Sequence, residues 1–555
     1  MAVFVSILLA VGTAQVGAAA VSEDEQIPAL QVVLDRVREA VGYKALGSVA
    51  AGLEFHGRVV WGEHEANDKD LEDNGSSWRY HFAFVPDGRY RVCLSRGGLE
   101  RTLPPQLSGY DGRHQWLMEI AGAHCPFSDS SVLLAHWIIS GTWLSRVDDL
   151  APRVVSEEST GDEIVLALRP RMEERDLEYW LVIDRRTWLP AAMSPARLLD
   201  KPDWEFQSYQ REFDVHYPSV VVSHKRDRNS LALDGGLRLN FDRVSTWKPD
   251  ELDSFTPPLP IVRAVFDRQS SNDLECRLTS SGHLLVKASI DDGPPQWFIL
   301  DTGTSNLVLV SEQMTESELT TLVEYERNSQ NPFMTGFVQC ERLSIGPLQL
   351  DKPIMFSLSL SFVGDKMKDK DWVGIVGYDV FRRSVIVLDA AAPAVRVYDP
   401  ATYADKDLNW QPIRFAMALP HVRCRMEGGK EGFFLIDTGN PGRVDLREEA
   451  IVDLGLDLEI KQSRKRRLNI DIQGVKAVTP SKSRLDRFEI GGHRLENVEI
   501  DVKPDKQEYA GLYRAGVIGL ELLAKFVVVF DYPRERVAFV DRVNAELAYP
   551  DDRKH

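Results

Sequence analysis

Hydrophobic and polar positions change rhythm several times along the chain. Leu30, Val33, Val37, Ala40 and Val41 recur at helical spacing within "EQIPALQVVLDRVREAVGYKAL", and Gly42 follows them. This predicts an amphipathic helix that stops at the glycine. From "LEFHGRVVW" onward, short runs of Val, Leu, Tyr, Phe and Trp are cut by Gly, Asp and Pro, as in "YHFAFVPDGRYRVCL", "EIVLALRP", "EYWLVIDRRTWLPAAM" and "GGLRLNFDRVSTW". Such runs are strands joined by tight turns, so the region predicts a large antiparallel sheet with one helix against it. Prolines and acids in "WKPDELDSFTPPLP" then mark a linker.

Beyond the linker the chain repeats itself. "WFILDTGTSNLVLV" is an apolar strand that runs into Asp301-Thr302-Gly303, and "GFFLIDTGNPGRVDL" repeats this at Asp437-Thr438-Gly439, 136 residues later. Downstream, "VGIVGYDVFRRSVIVLDAAAPAVRVYD" aligns with "AGVIGLELLAKFVVVFDYPRERVAFVD", placing Gly377 with Gly519 and Asp389 with Asp531 at an offset of 142. An Ile-Gly strand and turn precedes each second block, in "ERLSIGPLQL" and "DRFEIGGHRLENVEI". Each unit therefore reads as one copy of an all-β design, and the change in offset is a loop insertion in the second copy. The expected organisation is an N-terminal segment over 1–20, a sheet domain over 25–250, a linker over 251–270, and copies over 275–400 and 411–545.

Length agrees with several domains, because 555 residues exceed one ordinary core. The first 20 residues combine an apolar run with small residues and then acids, the shape of an export signal, although no Lys or Arg precedes the run. Cleavage would place the mature chain in the periplasm or outside the cell; an uncleaved segment would anchor it at a membrane. A formal charge of -18 argues against nucleic acid as partner. The basic run Lys461 to Arg467 reads as a solvated loop, and the acidic "NDKDLEDNG" as a solvated turn whose spacing does not fit a calcium loop. Five cysteines, without a Cys-x-x-Cys pair or a His-rich cluster, lack the usual zinc and redox motifs, so no metal or cofactor is expected. In an exported chain Cys93 and Cys125 are candidates for a disulfide.

The repeated carboxylate carries the candidate chemistry. An Asp at the end of a buried strand is held by the core, glycine lets the backbone turn sharply beside it, and threonine offers a short hydroxyl. One such Asp is a satisfied turn residue. Two, about 3 Å apart, share one proton, so that one serves as base and the other as acid at the same pH. Other hydrolase signatures are missing: there is no Gly-x-Ser-x-Gly and no His-Glu-x-x-His.

Asp-Thr-Gly after a hydrophobic strand, followed by the blocks Ile375-Val376-Gly377 and Val517-Ile518-Gly519, resembles the retropepsin-like aspartic peptidases in two tandem copies. That resemblance implies two β-barrel domains in a pseudo-twofold bilobal unit, peptide or protein substrates, no cofactor, and Asp301 with Asp437 as catalytic dyad. It further implies that Thr302 and Thr438 interlock across the axis, that Gly303 and Gly439 form the turns, and that the Thr304 hydroxyl bonds the outer oxygen of its carboxylate. The second copy departs from the pattern at Asn440-Pro441, where proline removes a donor. An internal pair in a monomer is favoured over pairing between chains. The N-terminal region, through "VREAVGYKALGSVAAGLEFHGRV", "YDGRHQW" and "YWLVIDRRTWLPAAM", resembles the bacterial lipoprotein-carrier fold, a curved antiparallel sheet closed by helices. That likeness implies a lipid or lipoprotein partner.

The fold expected is thus mainly β, and the function expected is an exported aspartic endopeptidase. A competing expectation is a non-catalytic lipid, lipoprotein or peptide binder in which the repeats are a scaffold. A third, the N-terminal region as an autoinhibitory propeptide, is weakened by the size and apparent core of that region.

Overall fold

The computed structural model describes residues 27–549 apart from 49–51, 62–77, 97–102, 119–123, 128–129, 171–177, 196–201, 225–236, 248–254, 259–261, 314–318, 325–333, 361–370, 405–407, 417, 463–466, 472–473, 479 and 504–513. The expected export segment, the acidic "NDKDLEDNG" and the centre of the basic run lie outside the described residues. The chain is mainly β, with curved sheets and a few helices.

The predicted first helix spans Leu30–Val41, buries Val33, Leu34, Val37 and Val41, and ends at Gly42, whose φ of 78° is the left-handed cap that glycine adopts without strain. A 13-stranded antiparallel sheet follows. The chain starts at its centre with Leu53–Trp61, steps outward to the edge strand His124–Phe127, and resumes at the opposite edge with Arg153–Val154. It then steps back until Leu237–Thr246 pairs with Leu53–Trp61. Between the two passes runs a helix, Ser130–Ser140, that the hydrophobic pattern did not reveal. It is buried on every side, so its sequence has no polar stripe from which a period can be read. Its polar groups are satisfied inside: Ser130 pairs with the Tyr179 hydroxyl at 2.6 Å, and Trp204 Nε1 donates to Ser131 Oγ at 2.9 Å.

The candidate disulfide does not form. Cys93 is a free thiol, and its strand is separated from that of Cys125 by two others, Gln106–Tyr110 and Gln115–Met118. Three strand spacings of about 4.8 Å exceed the reach of a disulfide.

The two downstream copies share one strand succession, and the second closes on itself. In the second, Leu419–Met426, Glu431–Ile436, Arg514–Ile518, Val444–Arg447, His493–Lys503 and Ser481–Ile490 are neighbours in that order, and the last returns to the first through Arg425 with Glu489 and Met426 with Phe488. The first copy has the same succession from Leu284–Ile290 to Met334–Gln339, but as an open path that continues on the other side of Leu284–Ile290, where Ser289 lies opposite Ser344. Within the stretch read as linker, Arg263–Phe266 is instead an edge strand of the first copy, paired with Leu348–Asp351.

A six-stranded sheet unites the copies, with Val385–Asp389 antiparallel to Phe526–Asp531 at its centre. Val387 lies opposite Val529 there, and these residues are equivalent in the repeat, being 142 apart. The pairing therefore maps onto itself when the copies are exchanged, which puts a pseudo-twofold axis between the two valines. Residues of both copies, from Leu284 to Phe539, belong to one buried hydrophobic cluster. The N-terminal sheet docks onto this unit through Leu117, which joins that cluster, and Leu103, which packs with Leu285, Ile299 and Val308.

Candidate active site

Both Asp-Thr-Gly turns sit on the same internal scaffold. Strand Gln296–Leu300 runs parallel to Trp372–Val376, and Glu431–Ile436 runs parallel to Arg514–Ile518. At the strand ends the Asp301 N–H donates to the Val376 carbonyl at 3.0 Å, and the Asp437 N–H donates to the Ile518 carbonyl at 2.9 Å. The hydrophobic-Gly blocks thus brace the aspartate turns. Their glycines are there because backbone crosses them closely: a Cβ on Gly377 would collide with the Thr304 carbonyl, and one on Gly519 would stand 2.6 Å from that of Asn440.

The two turns meet face to face. Thr302 N–H donates to Thr438 Oγ1 at 2.9 Å and Thr438 N–H donates to Thr302 Oγ1 at 3.0 Å. Each hydroxyl then donates across the axis, Thr302 to the Ile436 carbonyl at 2.7 Å and Thr438 to the Leu300 carbonyl at 2.8 Å. Both threonines are buried, so these four bonds are shielded from water. A single atom added to Gly303 would lie 2.7 Å from Asp437 Oδ1 and 3.0 Å from Asp301 Oδ1, touching both carboxylates at once. An atom added to Gly439 would fall 2.5 and 2.6 Å from the two oxygens of Asp301.

The two halves differ at the residue after the turn glycine, Thr304 in one and Asn440 in the other. Asp301 accepts from the Gly303 N–H at 2.6 Å on one oxygen and from the Thr304 hydroxyl at 2.6 Å on the other. In the second copy the Asn440 amide donates to Asp445 at 3.1 Å, and its carbonyl accepts from the Gly442 N–H at 2.9 Å. Asn440 therefore stabilises its own loop, in a turn of the kind that Asn-Pro-Gly favours. The backbone turn survives the proline, since the Asn440 N–H still donates to the Asp437 carbonyl as Thr304 does to Asp301.

Two neighbours had no signal in the sequence. Tyr532, fully buried among Tyr378, Phe381, Phe415 and Phe530, has its hydroxyl pushed well above its ordinary pKa by burial and by the charges of Asp301 and Asp437. His283 stands at a hairpin where a Cβ added to Gly282 would lie 3.0 Å from the Pro441 side chain of the other copy, and its Nδ1 lies 2.8 Å from Ser281 Oγ. Burial pushes its imidazole down, against the opposing pull of Asp301. Both belong to structure that becomes adjacent to the aspartates only on folding.

No known family model matches the chain. No characterised protein sequence matches it either. Solved structures similar to parts of it are a LolA-superfamily protein from Nitrosomonas europaea, at 13% identity and a TM-score of 0.28 over 42% of this chain and 99% of that one, and the basic 7S globulin of soybean, at 13% identity and a TM-score of 0.30 over 50% and 94%.

Beside the second copy, a cleft of about 880 Å³ opens towards the N-terminal sheet. Arg113, His114, Trp410, Phe415 and Phe433 are among its walls. Arg423 and Arg425, also in the wall, are engaged by Glu431, Arg425 at 2.7 Å.

Proposed function

We propose that the chain is an exported aspartic endopeptidase of the retropepsin-like kind, with one site built from both copies. The reciprocal bonds between Thr302 and Thr438 carry this reading, because they bring two strand-end carboxylates together and give neither turn room to swing away. With two carboxylates this close, one member of the pair is ionised and the other protonated. The ionised carboxylate takes a proton from a water held between the two, and the water oxygen attacks the peptide carbonyl carbon. The protonated member gives its proton to the carbonyl oxygen, forming a tetrahedral diol. On collapse a proton passes to the leaving nitrogen, the C–N bond breaks, and the pair returns to its shared-proton state. The test is cleavage of a mixed peptide library between pH 3 and 8, with a peptide bearing a secondary alcohol in place of the scissile carbonyl as inhibitor. Such a diol mimic should bind far more tightly than the parent peptide. Absence of cleavage and of tight binding together would refute the proposal.

A second reading, a lipid, lipoprotein or peptide binder with the repeats as scaffold, is favoured by the cleft between the sheet and the second copy, whose aromatic walls suit an amphiphilic ligand. It predicts ligand uptake that survives loss of both aspartates.

A further inference from the structure

On the outward face of the N-terminal sheet, three side chains 25 or more residues apart or on alternate strand positions converge. Glu54 and His56 lie on one strand, two residues apart and therefore on the same face. His81, on the next strand, is directly opposite His56. Glu54 Oε2 stands 3.2 Å from His56 Nε2 and 3.6 Å from His81 Nε2, and the three donor atoms lie within 4.8 Å of one another. A tetrahedral zinc ion with ligands at about 2.0 to 2.2 Å needs donors about 3.4 Å apart, so both separations from Glu54 match, and the two imidazole nitrogens need only turn towards a shared ion. Linear spacing did not disclose this group, because a cross-strand pair has no sequence period and the chain has no His-rich cluster.

Three features separate the group from an ordinary surface cluster. His81 Nε2 is buried and makes no hydrogen bond within 3.5 Å, the Glu54 carboxylate at 3.6 Å being the neighbour that faces it. Ser245, opposite Glu54 on the other neighbouring strand, puts its hydroxyl 3.3 Å from both His56 Nε2 and Glu54 Oε2, where it can serve as a further oxygen donor or hold a bound water. The opposite face of the same strands is the rigid core of Phe55, Phe82 and Phe84, which fixes the donors in advance. The imidazoles stack, with centroids 4.5 Å apart and planes 8° apart, so ligation by both requires a small rotation of the rings. Arg91 acts on His81 from the next strand and opposes a cation; the Glu54 carboxylate offsets it.

We propose that Glu54, His56 and His81 form a site for a divalent transition metal of the zinc type, separate from the aspartate pair, with Ser245 or water completing the shell. Two imidazoles and one carboxylate suit zinc, cobalt or nickel rather than calcium, which prefers an all-oxygen set.

The experiment is equilibrium dialysis of the mature chain against zinc chloride alone, for wild type, Glu54→Gln, and the double variant His56→Gln with His81→Gln, with circular dichroism to confirm folding. Expected is one zinc per chain more in wild type than in the double variant, and at least tenfold weaker binding in Glu54→Gln. If the double variant fails to fold, the same comparison is made on Glu54→Gln and Ser245→Ala. A second readout is cobalt: the Trp247 ring lies 6.2 Å from that of His81, so bound cobalt should quench fluorescence that a Trp247→Phe variant lacks. Equal zinc uptake by wild type and the folded variants, or no cobalt quenching attributable to Trp247, overturns the proposal.

Discussion

Thr302 and Thr438 each accept a hydrogen bond from the other's backbone N–H, at 2.9 and 3.0 Å, and each donates to the carbonyl that precedes the other's aspartate. Neither copy can therefore place its carboxylate without the other. Thr302→Val keeps the shape and removes the hydroxyl, leaving the Thr438 N–H and the Ile436 carbonyl without this partner. At about 1 to 3 kcal/mol for each buried group left unpaired, we expect a lower thermal midpoint and lost peptide cleavage, both measurable on the purified variant. An unchanged midpoint would show that the interlock contributes nothing.

Gly439→Ala sets a methyl group against both oxygens of Asp301. The carboxylate must move, and a displacement of about 1 Å at reacting groups costs on the order of 100-fold in rate. Steady-state kinetics should show kcat falling by that much or more while the fold, followed by circular dichroism, is kept.

The two halves should respond unequally to parallel substitutions. Thr304→Ala removes a hydroxyl that donates to Asp301, a charge-assisted bond, and should lower kcat roughly 10- to 100-fold. Asn440→Ala breaks bonds to Asp445 and Gly442 instead. Its kcat should fall less than that of Thr304→Ala, while its stability drops. Equal kinetic effects would show that Asn440 supports the aspartate pair as Thr304 does.

His283 supplies a pH dependence of stability. Burial lowers its pKa in the folded state, with Asp301 pulling the other way. Below the unfolded value, about 6.5, the unfolded chain binds a proton that the folded one refuses. Stability therefore falls as pH drops from there towards the folded pKa, and the group has no such effect above neutrality. Thermal melts at pH 7 and pH 5 should show a larger loss for wild type than for His283→Gln. A larger loss in the variant would reverse the assignment.

The Asp-Thr-Gly turns were legible because each motif is contiguous, follows an apolar strand and recurs with its glycine block at nearly constant offset. The pattern also exposed the strands, whose alternation or apolar runs are local. It did not expose helix Ser130–Ser140, which is apolar all round, nor the strand Arg263–Phe266, whose prolines nearby read as linker. His283, Tyr532 and the Glu54, His56 and His81 group had no local signal, since each acquires its neighbours across strands or between copies. Asn440-Pro441 was visible as a departure, but only the structure shows its carboxamide turned to Asp445 rather than to the aspartate pair.

The most direct test of a single site shared by the two copies is peptide cleavage by Asp301→Asn, by Asp437→Asn, and by an equimolar mixture of the two. If one chain supplies both carboxylates, all three preparations are inactive while wild type cleaves. Substantial cleavage by either variant alone, or its recovery on mixing, would contradict the account by showing that a carboxylate pair assembles without both residues of one chain.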